Sequence, residues 1–316
     1  MTLRHTALGR SGIRVSELCL GTMTFGTGWG WGADEPACQE IYAAFREAGG
    51  NFVDTADIYT AGGSEEIVGR LVAAERDAIV LGTKFTLPTG DDPNAGGSHR
   101  KSLRASVETS LRRLGTDYLD VLWVHAWDQR TPIEETLRAL DDLVHVGKIL
   151  AIGLSNMPAW VISRADVIAD LRGWSSISAI QLEYSLAART PDRELLPMAR
   201  SLGLPVCAWS PLARGLLAGK APEQPATRVR TVVAAATAVA DEIGATTAQV
   251  ALAWVLHHGL IPLLGASTLS QIKDNLDAAH LHLGQEQLAR LDAVSEVRLG
   301  YPHEFLRDRC TTLSEE

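Results

Sequence analysis

Short, nearly continuous apolar runs alternate along this chain with longer segments whose apolar positions recur every three or four residues. The short runs fall at 17–21 (ELCLG), 51–54 (NFVD), 78–84 (AIVLGTK), 118–125 (YLDVLWVH), 149–155 (ILAIGLS), 177–183 (ISAIQLE), 205–210 (PVCAWS) and 260–266 (LIPLLGA). Runs of this kind are what strands need when a parallel sheet is buried on both faces. The longer segments read as helices. In SLRASVETSLRRLG, Leu103, Val107, Leu111 and Leu114 share one helical face and Gly115 stands where such a helix stops. In TPIEETLRALDDLVHVGK, Thr131 and Glu134 have capping-box spacing, Pro132 suits the first helical position, Leu137, Leu140 and Val144 supply the face, and Gly147 ends it. Further helices are predicted at 36–48, 64–74, 158–171, 192–202, 229–243 and 269–281.

Eight strand–helix alternations with no compositional break predict an α/β fold, a closed (β/α)8 TIM barrel forming a single domain over 1–316, rather than two open sheets. The segment RHTALGRSGIRVS, with Gly9 and Gly12, predicts an N-terminal β-hairpin over the barrel bottom, and an extra C-terminal helix or tail follows the last strand. Three connections are rich in glycine, proline or tryptophan: TMTFGTGWGWGADE (22–35), FTLPTGDDPNAGGSHR (85–100) and PLARGLLAGKAPEQPATRVR (211–230). Each follows the C-terminal end of a strand, where barrels build their sites.

Composition narrows the function classes. The 316 residues are 46% hydrophobic and 21% charged, with a net charge of −9, which argues against a nucleic-acid partner because phosphate backbones demand a clustered basic face. Cys19, Cys38, Cys207 and Cys310 are scattered, with no C-x-x-C pair, so neither zinc nor a disulfide framework is indicated and a reducing compartment fits. No run approaches the roughly 18 apolar residues of a membrane span, and no apolar signal core stands at the start. A soluble, cytoplasmic protein is expected, and nothing in the sequence sets an oligomeric state.

The strand ends carry the chemistry. Asp54 closes the second run, Lys84 the third and His125 the fourth, and Tyr59 lies in the loop just after Asp54. Taken singly, each has an ordinary structural explanation: a turn cap, a solvated tip, a core histidine. On successive strand ends of one barrel they converge on one pocket, and an acid, an ammonium, a phenol and an imidazole together suit proton delivery to a carbonyl oxygen. A phenol titrates near about 10, a neighbouring lysine favours its ionised form, and the sequence therefore predicts that Lys84 lowers Tyr59. Asp54 would hold Lys84, and His125 would orient the substrate oxygen. A metal-dependent barrel hydrolase would need carboxylates and histidines where this chain has Lys84 and Tyr59, so no metal is expected.

The segments LGRSGIRVSELCLGTMTFG, GGNFVDTADIY, LGTKF, RRLGTDYLDVLWVH, GKILAIGLSN, QLEYS, WSPLARGLLAGK, LLGASTLSQIKDN and YPHEFL run nearly end to end. In that order they make the chain resemble the aldo-keto reductases, within them the bacterial long-loop group related to potassium-channel β subunits. The resemblance implies NAD(P)H-dependent reduction of an aldehyde or ketone, with Asp54, Tyr59, Lys84 and His125 as the catalytic set. It also implies a nicotinamide held without a Rossmann fingerprint, and no strand here runs into G-x-G-x-x-G. By resemblance Ser155, Asn156 and Gln181 bind the carboxamide, and Trp209 covers the nicotinamide face. Gly21, Thr22, Met23 and Asp54 lie along the same cofactor. Ser210, Pro211, Leu212, Arg214 and Gly215 supply the pyrophosphate loop, with Lys220 and Arg228 or Arg230 adding charge. Ser267, Gln271 and Asn275 correspond to the adenosine end. Where many relatives carry an arginine for the 2′-phosphate this chain has Ser267 and Thr268; Lys220 and the arginines keep NADP(H) preferred, with NAD(H) the alternative. GTGWGWG reads as a flexible loop on the substrate side, and Trp29, Trp31, Trp127 and Tyr301 are the aromatic candidates for the substrate pocket. Two other functions fit the family: an NADPH-sensing regulatory protein like the channel β subunits, and a sugar-nucleotide ketoreductase of secondary metabolism. The latter would use His99, Arg100, Lys101 and Arg104.

Overall fold

A computed structural model describes residues 2–220 and 226–310, so the stretch 221–225 of the third long connection and the tail 311–316 lie outside the described residues. The chain opens with β1 (His5–Ala7) and β2 (Arg14–Ser16), an antiparallel pair. There follow β3 (Cys19–Gly21), α1 (Glu35–Glu47), β4 (Phe52–Asp54), α2 (Gly63–Val72), β5 (Val80–Phe85), α3 (Arg100–Leu114), β6 (Leu119–Val124), α4 (Ile133–His145) and β7 (Ile149–Ser155). The second half comprises α5 (Ala159–Arg172), β8 (Ile177–Glu183), α6 (Leu195–Leu202), β9 (Val206–Trp209), α7 (Thr227–Ile243), α8 (Thr247–His257), β10 (Ile261–Leu264), α9 (Leu269–Asp277), α10 (Gln285–Ser295) and α11 (His303–Cys310). Strands β3 to β10 close into a parallel barrel in sequence order, the (β/α)8 architecture expected. All eight barrel strands fall within the apolar runs read from the sequence, apart from one added residue, Phe85, at the end of β5.

Alternation along each strand separates two cores. Cys19, Phe52, Val80, Val121, Ala151, Ala179, Cys207 and Ile261 fill the barrel interior, while neighbours such as Leu20, Val53, Leu81 and Leu122 face the helices. The hairpin stoppers the bottom of the barrel: Leu8 and Val15 are fully buried against the interior layer. At Gly9, in left-handed backbone with φ 58°, an added Cβ would stand 2.2 Å from the Ser178 carbonyl oxygen, so only glycine lets the hairpin come this close.

The sequence missed or misplaced three features. Helix α8 went unread because it is buried on nearly every side, including the fully buried Trp254 stacked on Tyr184 at 5.5 Å, and so shows no polar face to set a period. Helix α10 adds a second element to the single C-terminal helix expected. The capping box at Thr131 does not form. Helix α4 begins at Ile133 with Pro132 before it, the Thr131 hydroxyl donates instead to Asp128, and Glu134 pairs with Arg164 of α5. Among the described residues no helix is long and apolar enough to cross a membrane, and the four cysteines are unpaired.

One packing feature bears on the site. Trp123, fully buried on β6, lies across the barrel interior between Gly82 of β5 and Gly153 of β7. A Cβ at Gly153 would stand 2.1 Å from its ring. Gly153→Ala should therefore destabilise the fold by about 1–3 kcal/mol through overpacking, read as a lower midpoint in chemical denaturation; an unchanged midpoint would mean the indole does not occupy that gap.

Candidate active site

The same alternation that builds the inner core places the next inward side chains, at the C-terminal ends of the strands, around one cup. Phe52 is followed by Asp54, Gly82 by Lys84, Trp123 by His125, Gly153 by Ser155, Ala179 by Gln181 and Cys207 by Trp209. Strand register brings Asp54 beside Gly82 and Lys84 beside Trp123. The pocket is thus a consequence of strand parity, with the large Trp123 ring as its floor.

Lys84 is completely buried, and its ammonium donates to Asp54 Oδ2, to the Thr55 carbonyl at 2.8 Å and to Tyr59 Oη at 3.1 Å. Its three donors match three acceptors. Gln181 Nε2 donates to the other Asp54 oxygen at 3.3 Å. The Trp123 indole N–H lies close enough to Asp54 to favour its ionised form without completing a hydrogen bond. Burial opposes the charge on Lys84, but Asp54 and Tyr59 outweigh it and hold the ammonium above its ordinary range. Burial likewise pushes the Asp54 carboxyl up, with Lys84 and Gln181 pulling against it. Thr22, just past the end of β3, is fully buried and shares its hydroxyl with Ser64 and the Asp54 carbonyl, which braces the end of β4.

Tyr59 departs from expectation in one respect. Burial pushes its phenol up, and the lowering by Lys84 does not overcome it. Removing a phenolate from water costs more than one ammonium at hydrogen-bond distance returns, because that ammonium is shared with Asp54. The ring of His125 stands edge-on to Tyr59 at 6.1 Å. Burial and the Lys84 charge lower its imidazole to about 3, and its Nδ1 is buried without a partner. His125 is therefore a neutral ring.

The residues expected along a nicotinamide cofactor form a second network. Asn156, in left-handed backbone with φ 49°, donates to the His125 carbonyl at 2.8 Å and to Ser155 Oγ at 2.9 Å, and its Oδ1 accepts from the Trp209 indole at 3.1 Å. Trp209 is thus held by a polar handle that the sequence did not reveal. Beyond it the chain turns through left-handed conformations at Ser210, Ala213, Arg214 and Gly215, and the Lys220 side chain lies across Gly215. Such turns can aim successive backbone N–H groups at an anion. Gly21 ends β3, Met23 is exposed, and Pro211 and Leu212 sit at the head of the turn. Gln271 accepts from the Ser267 N–H at 2.8 Å, and buried Asn275 donates to the Gly265 carbonyl at 3.3 Å, so both helix residues brace the loop after β10. Arg228 donates to the Ser295 carbonyl and Arg230 to Thr227 Oγ1.

Of the aromatic candidates, Trp29 lies 6.3 Å edge-on to Tyr59 and 5.4 Å from Trp31. Their loop, read as flexible from its glycines, is closed at the base: the Gly26 N–H donates to the Ala33 carbonyl, the Ala33 N–H to that of Thr24, and Thr60 Oγ1 to that of Phe25. Trp127 stands edge-on to Trp160 at 5.4 Å. Tyr301 is 79% exposed beside Phe305, with its carbonyl held by Arg193. His99 caps α3 by accepting from the Ser102 N–H, and Arg100 pairs with Asp142, which accounts for two of the four basic residues there. A separate, largely apolar cavity of about 300 Å3 lies beyond Asn156 and Gln181, walled by Met157, Ile162, Leu182 and Leu195; none of Asp54, Tyr59, Lys84 or His125 lines it.

Comparison with known proteins identifies the family. The family model described as Aldo/keto reductase family matches residues 17–296. The norsolorinic acid reductase stcV of Emericella nidulans is 38% identical, with 94% of this chain and 82% of that protein covered. An aryl-alcohol dehydrogenase of Pestalotiopsis microspora is 35% identical over 96% of this chain and 85% of its own length. The uncharacterized oxidoreductase YrpG of Bacillus subtilis is 38% identical over 92% and 96%. The chain is an oxidoreductase that belongs to the aldo/keto reductase family.

Proposed function

We propose that this protein reduces an aryl aldehyde or ketone to the alcohol, with Tyr59 as proton donor and NADP(H) as the preferred nicotinamide, NAD(H) being the alternative. The carrying observation is the three-way hold on Lys84 by Asp54, Thr55 and Tyr59 inside the barrel mouth. The donor set fits a nicotinamide cofactor: Ser155, Asn156 and Gln181 offer amide-compatible groups, Trp209 an aromatic face, and the turn at Ser210–Gly215 an anion cradle. Exposed Lys220 and Arg230 are the cations on offer to a 2′-phosphate, which supports NADP(H). When bound, that cofactor supplies the hydride.

The chain's own residues manage the proton. As the carbonyl oxygen gains negative charge it becomes a far stronger base than a phenolate, so Tyr59 donates to it although burial has raised the phenol. Lys84, fixed by Asp54, then stabilises the phenolate across 3.1 Å. Neutral His125 can present an N–H to the same oxygen and fix its approach. The aryl preference is supported by Trp29 against Tyr59 with Trp31 beside it, and the similarity to an aryl-alcohol dehydrogenase points the same way. Four unpaired cysteines support a reducing, cytoplasmic setting.

Three outcomes are expected. Tyr59→Phe should lower kcat by about 10²–10⁴-fold while leaving cofactor affinity in place, measured by nicotinamide absorbance on a panel of aryl and aliphatic aldehydes; parental turnover in the variant would remove Tyr59 as the acid. Trp29→Ala should raise KM about tenfold for aryl aldehydes and change it little for short aliphatic ones; an equal change for both would sink the aryl reading. The His125 imidazole is lowered from 6.5 to about 3, so the unfolded chain takes up the proton first and the parent loses stability as pH falls through that window. His125→Gln should abolish this component, so that parent and variant converge in denaturant midpoint on acidification; parallel curves would contradict a neutral His125.

A further inference from the structure

Behind the Tyr59 loop lies a buried polar cluster that the carbonyl chemistry leaves unused. Asp57 is 2% exposed and Glu65 of α2 is fully buried. Arg113, near the end of α3, reaches under the loop: its guanidinium donates to the Asp57 carbonyl at 3.0 Å and to Glu65 Oε2 at 3.1 Å. It also lies against Gly62, where an added Cβ would stand 2.2 Å from the guanidinium carbon. Glu65 Oε1 is taken by the Thr83 hydroxyl of β5 at 2.7 Å. Thus one arginine links α3, α2 and the loop, while α2 is tied to the strand that bears Lys84.

Asp57 is held from every side except one. Its N–H donates to the Lys84 carbonyl at 3.2 Å, its carbonyl accepts from Arg113, and its Oδ2 accepts from the Ser106 hydroxyl of α3 at 2.8 Å. Its Oδ1 is buried with no partner. Immediately after Tyr59, residues Thr60, Ala61 and Gly62 run in left-handed backbone with φ 47°, 55° and 97°. For the two residues with side chains this conformation is costly and persists only where the surroundings impose it. The clamp on Asp57 and Gly62 brackets Tyr59 on both sides, and the Thr60 hydroxyl is held by the Phe25 carbonyl between them.

We propose that Asp57 is a positioning residue for Tyr59. Strapped to Lys84, Ser106 and Arg113, it sets where the phenol stands, and its carboxyl charge sets how readily the phenol gives up its proton. This inference rests on reading Tyr59 as the acid. An ionised carboxylate with a bare buried oxygen is disfavoured, and burial, with Glu65 adding to it against Ser106, Arg113 and Lys84, raises Asp57 to about 7. Ionised Asp57 opposes phenolate formation at Tyr59, whereas neutral Asp57 does not. The charged and titratable groups around Asp57 are Lys84 on β5, Glu65 on α2, Arg113 on α3 and Tyr59 on its own loop.

The test uses the full chain. In protein carrying ¹³C-labelled tyrosine, the ring resonance absent from Tyr59→Phe should move through a step near pH 7, the value to which Asp57 is raised, and that step should vanish in Asp57→Asn. No step in the parent, or its persistence in Asp57→Asn, overturns the proposal without reference to any substrate. In turnover, Asp57→Asn should match the parent at acidic pH and exceed its kcat by about threefold on the alkaline side, with cofactor Kd unchanged. Arg113→Met should lower kcat about tenfold at constant cofactor Kd, with Arg113→Lys restoring part of it. If Arg113→Met leaves kcat unchanged the clamp does not position Tyr59. A parent that reduces no carbonyl yet shows the pH 7 step refutes the functional reading and leaves the placement of Asp57 beside Tyr59 supported.

Discussion

The rest of the site depends on an ammonium group that has no access to water. Lys84 is wholly enclosed by the barrel mouth, and an isolated charge in that position would simply lose its proton. It survives because each of its donors has an acceptor, and those acceptors come from three places: the end of β4, the backbone just after it, and the phenol five residues beyond Asp54. Breaking any one leaves a buried charge underpaired, which costs far more than the pair itself contributes to stability. The pair is therefore better understood as a device for specifying position. It fixes Tyr59 Oη in space, and the Lys84 charge favours the ionised phenol against the cost of burial.

That constraint propagates outward. While Asp54 accepts from Lys84 through one oxygen, Gln181 occupies the other and Trp123 fills the barrel interior nearby. Trp123 in turn fits because the positions that its indole covers are Gly82 and Gly153. On the other side, the Tyr59 loop is pinned to the Trp29 loop through Thr60 and to α3 through Arg113. The Trp29 loop and the Tyr59 loop are thus parts of one packed unit. Rigidity of this sort suits proton transfer, where small misplacements of the donor are expensive.

Much of this arrangement was legible in the chain. Near-continuous apolar runs such as AIVLGTK and ILAIGLS suit strands buried on both faces of a helix-covered parallel sheet, and eight of them alternating with helical segments favour a closed barrel. Because inward and outward positions alternate, placing Asp54, Lys84 and His125 at strand ends already implied that they share a mouth. Helix α8 escaped for the complementary reason: TAQVALAWVLH is apolar all round, and periodicity is a signal only when one face stays polar.

What the sequence by itself determined was the layering and the set of groups facing the cup, since both follow from local period and chain order. What only the tertiary structure decided were the balances among groups distant in sequence. Whether Tyr59 is raised or lowered depends on how completely the barrel excludes water and on how much of Lys84 is already committed to Asp54. The hold of Asn156 on Trp209, the seat of Trp123 between two glycines and the reach of Arg113 from α3 to Asp57 join residues roughly 30 to 60 positions apart. Their strength is set by ångström-scale distances that no pattern of residue types encodes, because hydrogen bonding and desolvation fall off over the width of a single atom.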